Sequence, residues 1–267
     1  MICLALFILI TSTLLYLYLH RKTRISLRFL YIDNVAVIIL TALITLPLLT
    51  LIREWWYYAI ITLLAGGLTV GIAFGITMIR FWRTPARKTS PDIHDIVSPA
   101  DGNIIYIEAV EAGDVPVSVK GNRFSKLEEL TKTDILKGQC WLIGINMTPF
   151  DVHKNCSPVN GTVILNRHFN GKFLSLKSPE ALSENERQTY VISDAANNTR
   201  IGIIQTASRL VRRIDSYVQE GQELEKGQWL GMIRFGSQVD LIIPRTCNVL
   251  PEIGDQVYAA ETVIAKY

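Results

Sequence analysis

Few side chains in this 267-residue sequence combine a reactive type with a setting that supports reaction. Phe235-Gly236-Ser237-Gln238 lies between two strand-like runs and sets a hydroxyl next to the carbonyl of a residue that lacks a Cβ. Beyond residue 91 there are three histidines: His94 in a polar stretch, His168 ahead of a glycine turn, and His153 after Pro149-Phe150-Asp151-Val152. Imidazole titrates near neutrality and so suits proton transfer. Asp101 occupies a Ser98-Pro99-Ala100-Asp101-Gly102 turn, and Arg209, Arg212, Arg213 and Arg234 supply cations that suit a phosphate. Each has a plainer reading. Gly-Ser pairs and Asp-Gly pairs form turns, a histidine beside a strand is commonly structural, and strand arginines commonly face water.

The elements that must position these residues divide the chain in two. It is 49% hydrophobic and 19% charged with a net charge of +3, which excludes a disordered or fibrous protein. Cys3, Cys140, Cys156 and Cys247 are too scattered for a disulfide framework, and no pair has the spacing of a metal or redox motif. Reducing surroundings and no metal are expected. So small a net charge, with the basic residues set beside apolar runs, argues against nucleic acid and for a membrane.

Residues 1–19, 35–52 and 55–79 carry no charge. Eighteen helical residues rise about 27 Å, close to the thickness of a bilayer's hydrocarbon layer. Basic residues follow the first run (Arg21, Lys22, Arg24, Arg28) and the third (Arg80, Arg83, Arg87, Lys88). The positive-inside rule puts both groups in the cytoplasm, which three crossings satisfy. A signal anchor or loosely attached helix is the other reading of the first run. The expected organisation is a membrane anchor over 1–83, a linker over 84–91 and a catalytic domain over 92–267, in the cell membrane with that domain on the cytoplasmic face.

The domain reads as mainly β. Residues 103–110, 139–146, 162–168, 189–193, 200–206, 229–234, 239–243 and 257–266 are rich in β-branched types and bounded by turn formers, with helices expected over 127–136 and 179–187. Ser98-Pro99-Ala100-Asp101-Gly102 is echoed by Ser157-Pro158-Val159-Asn160-Gly161. A second echo pairs Gly221-x-x-Leu224-x-x-Gly227-x-x-Leu230 with Gly254-x-x-Val257-x-x-Ala260-x-x-Val263 and resembles the hammerhead strands of biotinyl and lipoyl domains. A barrel-sandwich hybrid is the expected architecture.

Taken in order, Arg83-Thr84-Pro85-x-Arg87, residues 97–102, residues 147–163, Gly171-Lys172-Phe173-Leu174, Ser183-Glu184-Asn185-Glu186-Arg187, Arg212-Arg213-Ile214 and residues 231–240 resemble the pyruvoyl-dependent phosphatidylserine decarboxylases, in particular their short branch with N-terminal anchors. The resemblance implies self-cleavage between Gly236 and Ser237, giving a β chain of 236 residues and an associated α chain of 31 (267 minus 236). Ser237 would become a covalent pyruvoyl group. A phosphatidylserine amine would condense with it as a Schiff base, lose CO2 and leave as phosphatidylethanolamine. A serine hydroxyl needs a base, and Gly236 tolerates the tight approach of Ser237 Oγ to its carbonyl.

The family segments imply a proton-transfer role for His153 and a base or orienting role for Asp101. Where the long branch has a second histidine this chain has Cys156, so either His153 serves both self-processing and decarboxylation or Asp101 takes a larger share. Cys156 reads as a packing residue, and Gln238 replaces an arginine frequent in the short branch. Arg212, Arg213 and Arg234 are the candidates for the lipid headgroup, held in the membrane as substrate. Two other readings stand beside this one, a decarboxylase of an archaetidylserine-like ether lipid and an uncleaved lipoyl-like adaptor. Strand edges and the hairpin allow a higher oligomer.

Overall fold

The computed structural model describes residues 1–23, 27–51, 54–111, 114–116, 124–126, 138–175, 181–208, 213–234 and 237–267. They form two compact units, Met1–Trp82 and Arg83–Tyr267. The first holds α1 (Ile2–Thr23), α2 (Leu27–Leu48) and α3 (Trp55–Trp82), three helices long and apolar enough to cross a membrane.

Helix α2 starts well before residue 35, where the charge-free run begins. Two of its polar residues, Asp33 and Asn34, find partners within the unit. Asp33 is buried and accepts two hydrogen bonds from Arg80, from Nε at 2.7 Å and from Nη2. Asn34 accepts from Ser12 Oγ at 2.6 Å and donates to Thr13 Oγ1 at 3.1 Å. In an apolar medium an unpaired charge would be expelled, whereas this pair ties α2 to α3. Past Pro47 the chain tightens into three-residue turns, which ends the helix before residue 52.

The second unit is mainly β. Its strands are β1 (Asp95–Val97), β2 (Gly102–Val110), β3 (Asp114–Pro116), β4 (Phe124–Lys126), β5 (Cys140–Met147), β6 (Lys154–Cys156), β7 (Gly161–Phe169), β8 (Arg187–Asp194), β9 (Thr199–Ala207), β10 (Ile214–Ser216), β11 (Glu223–Leu224), β12 (Trp229–Ile233), β13 (Ser237–Pro244), β14 (Asn248–Val249), β15 (Gln256–Val257) and β16 (Val263–Lys266). Eight of them form one antiparallel sheet in the order β11-β7-β8-β9-β13-β5-β2-β15, curled into a half-barrel. Two three-stranded sheets, β1-β16-β14 and β10-β12-β6, contribute Ile96, Ile264, Ile214 and Ile233 to its main core. Alternation sends Val239, Leu241 and Ile243 of β13 to that core and Ile242 to a second cluster with Tyr106, Leu142 and Ile204.

The echoed sequences fold as echoed structure. Ser98 Oγ donates to the Ala100 carbonyl at 2.7 Å, and Ser157 Oγ to the Val159 carbonyl at 2.6 Å. The two turns bond each other, Cys156 N to Pro99 O at 2.9 Å and Val97 N to Pro158 O at 3.0 Å. Each leads into a long strand with a bulge at a matching place, between Ile104 and Tyr106 in β2 and between Val163 and Leu165 in β7. Short strands cap the two edges of the sheet equivalently, β15 on β2 and β11 on β7.

Two sequence expectations are corrected, and a third is untested. The single strand over 257–266 is two strands, β15 and β16, because Ala260 turns the chain at φ +64° in the place that Gly227 fills at +84°. The helix over 179–187 shrinks to α4 (Ala181–Glu184), since Arg187 is drawn into β8 opposite Thr206. The helix expected over 127–136 lies outside the described residues.

A Cβ on Gly161 would stand 2.4 Å from the Ser193 carbonyl, and one on Gly102 would stand 2.4 Å from that of Asn146. Either alanine must push bonded strands apart. Gly161→Ala is expected to cost about 1–3 kcal/mol, read as a melting midpoint lowered by roughly 2–10 °C in detergent; an unchanged midpoint would contradict this close approach.

Candidate active site

Ser237 opens β13, the strand held between β5 and β9, and its backbone pairs with Met147 on one side and Ala207 on the other. Phe235 and Gly236 lie outside the described residues. Upstream of them Ile233 N donates to the His153 carbonyl at 3.2 Å, and β12 continues along β6. Ile233 and Ser237 are thus both bonded to the backbone of residues 147–153. His153 sits at one end of that span and the partner of Ser237 at the other.

The His153 side chain is wholly buried, and its Nδ1 lies 2.9 Å from the Asp151 carbonyl. A carbonyl only accepts, so Nδ1 carries the hydrogen and Nε2 holds the lone pair. Burial, reinforced by the charge of Arg83, lowers the imidazole pKa to about 4, against the smaller opposing effect of the Asp151 hydrogen bond. At neutral pH this is a neutral ring with a defined basic nitrogen.

Asp101 is also fully buried, at the first of the twin turns. Its Oδ1 accepts from Ala259 N at 2.8 Å and its Oδ2 from Val152 N at 3.3 Å, beside His153. Arg87 Nη2 reaches both oxygens, at 3.0 and 2.8 Å. Burial raises the Asp101 pKa, and Arg87 is the strongest of the influences that pull it back. Asp151 is raised too, first by burial and further by the charge of Asp101, while Thr148 N and Oγ1 bond its Oδ2 at 2.7 and 2.8 Å. Asp101 and His153 are thus brought to the same stretch of backbone.

A chain of buried polar groups leads to the same place. Tyr190 donates to Gln205 Oε1 at 3.1 Å, Gln205 Nε2 to Asn155 Oδ1 at 2.7 Å, and Asn155 Nδ2 to Met147 Sδ at 3.7 Å. Sequence reasoning passed over Gln205 and Tyr190, which the pairing of β8 with β9 brings together and a hydrogen bond links to Asn155, and over Arg87, although it stands in a motif already marked. Asn155 lies within the marked residues 147–163, but its type alone gives no role.

Cys156 donates from Sγ to the Ser98 carbonyl at 3.4 Å, and burial holds its thiol up at about 12. In the twin arrangement its place is taken by Val97, an apolar residue, and Cys156 packs with Ala259 and Ala260. Gln238 is buried and donates to Tyr106 Oη at 2.7 Å and to Asp240 Oδ1 at 2.8 Å. Asp240, which also accepts from Tyr106, is pushed up to about 6 by burial.

Arg213 and Arg234 share Asp215 through Nε contacts of 2.6 and 2.8 Å. They adjoin the ends of β10 and β12, and Lys154, on β6 of the same sheet, has its Nζ 5.8 Å from the Tyr217 ring centroid. Two guanidinium groups on one carboxylate leave that cluster net positive. Arg212 is outside the described residues, and among those described no cluster of side chains suits a metal ion.

The sequence profile of the phosphatidylserine decarboxylase family matches residues 74–265. A protein of Methanothermobacter thermautotrophicus, named as a candidate archaetidylserine decarboxylase proenzyme, is 38% identical over 230 residues, covering 85% of this chain and 92% of its own. Phosphatidylserine decarboxylase proenzymes of Ralstonia nicotianae and Pelobacter propionicus are 34% and 32% identical, covering 83% and 78% of this chain and 98% and 91% of theirs.

A histidine whose folded pKa lies below its unfolded value of about 6.5 leaves the unfolded chain to take up a proton first as pH falls. Its contribution to stability is complete above the unfolded value and is lost between there and about 4. His153→Gln is expected to remove about 2 kcal/mol of the stability difference between pH 7 and pH 5. Denaturation midpoints at the two pH values check this; an unchanged gap would mean that the ring is not held neutral.

Proposed function

Because the chain belongs to the phosphatidylserine decarboxylase family, we propose that it is a proenzyme that cleaves itself between Gly236 and Ser237 and then decarboxylates a seryl phospholipid. The observation that carries this reading is the double pinning of the scissile segment, Ile233 to His153 and Ser237 to Met147. It brings Ile233 and the Ser237 backbone to the stretch that also carries a buried neutral imidazole, His153, and the Val152 amide bonded to a buried carboxylate, Asp101.

In self-processing, Ser237 Oγ adds to the Gly236 carbonyl carbon while a base, His153 Nε2 or the Asp101 carboxylate, takes the hydroxyl proton. The peptide C–N bond breaks and leaves an ester with a free amine. Removal of the Ser237 Cα proton then expels the Gly236 carboxylate, and water replaces the nitrogen as ammonia. Backbone register supports retention of the product. The α chain of 31 residues (267 minus 236) would carry β13 to β16, with β13 bonded to β5 and β9, β15 to β2 and β16 to β1.

The pyruvoyl group, once formed, supplies a carbonyl able to accept the electron pair left by departing CO2. The start of β13 fits it, since the small Ala207 is its neighbour on one side and the sheet anchors the residue that would bear it. His153 would hold or return a proton at Nε2, and the cationic face of Arg213, Arg234 and Lys154 would receive the lipid phosphate. Arg212 joins that assignment on sequence grounds alone. The duplicated turns support a barrel-sandwich hybrid for this unit. Three apolar helices support a membrane location with the catalytic unit on the cytoplasmic side, where tethering raises the encounter rate with a lipid substrate.

The 38% identity to a protein named for archaetidylserine favours a second substrate reading, an ether lipid with the same headgroup. Assays with diacyl and ether seryl lipids decide between them. Ser237→Ala is expected to leave one intact chain on a denaturing gel and to release no CO2, whereas Ser237→Cys is expected to process slowly. The intact masses of the two fragments test the reading directly, because an active preparation with an uncut chain and no ketone would overturn it.

A further inference from the structure

The twin turns allow the needs of the fold to be separated from those of chemistry. In the second turn Asn160 Oδ1 accepts from Lys226 N at 2.8 Å, and in the first Asp101 Oδ1 accepts from Ala259 N at 2.8 Å. The serine caps of the two turns are alike and their glycines make equal approaches to the adjoining strand. A neutral amide therefore satisfies this turn. The negative charge of Asp101 is surplus to it; Oδ2 accepts from the Val152 amide at 3.3 Å, and the cation that meets the carboxylate is Arg87.

Arg87 belongs to residues 84–91, the stretch after α3 that composition marks as a linker. Its side chain is nearly buried and bridges Asp101 and Glu261, with Nη1 at 2.8 Å from Glu261 Oε2. Its guanidinium carbon lies 5.8 Å from the Tyr258 ring centroid. Nη2 alone reaches both oxygens of Asp101 while Nη1 holds Glu261, and the planar guanidinium spanning two carboxylates fixes the orientation as well as the charge of Asp101.

We propose that Arg87 is a positioning residue for self-processing, holding Asp101 ionised and aimed so that cleavage depends on the strap after α3 being docked on the catalytic unit. The inference rests on the role given to Asp101 under the proposed function. Other charged or titratable groups face that carboxylate too. Arg83, on the same strap, favours its ionised form. Asp151 and Cys156 lie on the opposing β5–β6 side and interact with it, His153 follows the Val152 amide that bonds it, and Glu261 acts through Arg87. Removing Arg87 leaves burial as the dominant influence and moves ionisation of Asp101 to higher pH.

The test uses the full-length chain in membranes, following the appearance of the two fragments as a function of pH, with melting midpoints recorded in parallel. Arg87→Gln is expected to slow processing by about 10- to 100-fold at neutral pH and to move the acidic limb of its pH profile upward. Arg87→Lys keeps the cation without the fork, and is expected to retain the wild-type acidic limb and melting midpoint while processing several-fold more slowly. Glu261→Gln, which removes only the other partner of the guanidinium, is expected to stay within about twofold of wild type.

Arg87→Gln with the wild-type rate and limb, while Asp101→Asn is blocked, overturns the role of Arg87 and leaves that of Asp101 standing. Asp101→Asn processing normally overturns the Asp101 reading and this inference with it. If Arg87→Gln loses its melting transition, Arg87→Lys decides, and a lysine variant as fast as wild type overturns the proposal.

Discussion

One stretch of backbone, residues 147–153, holds both ends of the segment on which the chemistry is placed. Ser237 pairs with Met147 and Ile233 bonds His153. Because the same stretch carries His153 and the Val152 amide that bonds Asp101, the candidate acid–base groups are set relative to the Ser237 backbone by main-chain hydrogen bonds and not by side-chain conformers alone. Burial of the stretch then fixes protonation, neutral for the imidazole and ionised for the carboxylate only with cationic help.

The internal duplication makes clear what is specific to this site. His94 and His153 occupy corresponding positions, one residue before β1 and one before β6. His94 is exposed and shares a hydrogen bond with Asn197 at 3.0 Å, whereas His153 has no exposed surface. Asp101 corresponds to Asn160, Cys156 to Val97 and Gly227 to Ala260. A symmetric frame thus carries an asymmetric set of titratable groups, with the buried imidazole and the buried Asp101 carboxylate both on the half that bonds Val152 and His153. The frame explains the turns; the departures need another explanation, which the proposed chemistry provides.

Much of this was legible from local pattern. Alternating β-branched residues marked the long strands to within a residue or two, and the repeated turn sequences anticipated a duplicated architecture. What local pattern could not supply were partners distant in sequence. Asp33 and Asn34 are poor residues for a membrane helix until Arg80, Ser12 and Thr13 satisfy them, so α2 began too late. Arg187 reads as helical until Thr206 takes it into a ladder. Ala260 gives no sign of a left-handed turn, where Gly227 does. Arg87 looked like part of a soluble linker because composition reports what a segment lacks, an apolar face, and not which buried carboxylate it meets.

The proposed self-cleavage, in the middle of a sheet, would pose a physical problem that the topology answers. Cutting before a central strand removes one covalent link but none of the ladder bonds, and β13 has partners on both flanks over nearly its whole length. The loss of chain connectivity would raise the entropy of the separated state, an effect that grows only slowly with loop length. Against it stand two flanking ladders and the apolar side chains Val239, Leu241 and Ile243 in the main core. A site at a strand edge would not survive its own cleavage in register. Placing the reactive residue at the first position of an interior strand lets the chain be cut while the new terminus keeps the backbone coordinates of Ser237, and that requirement accounts for the depth of the site within the sheet.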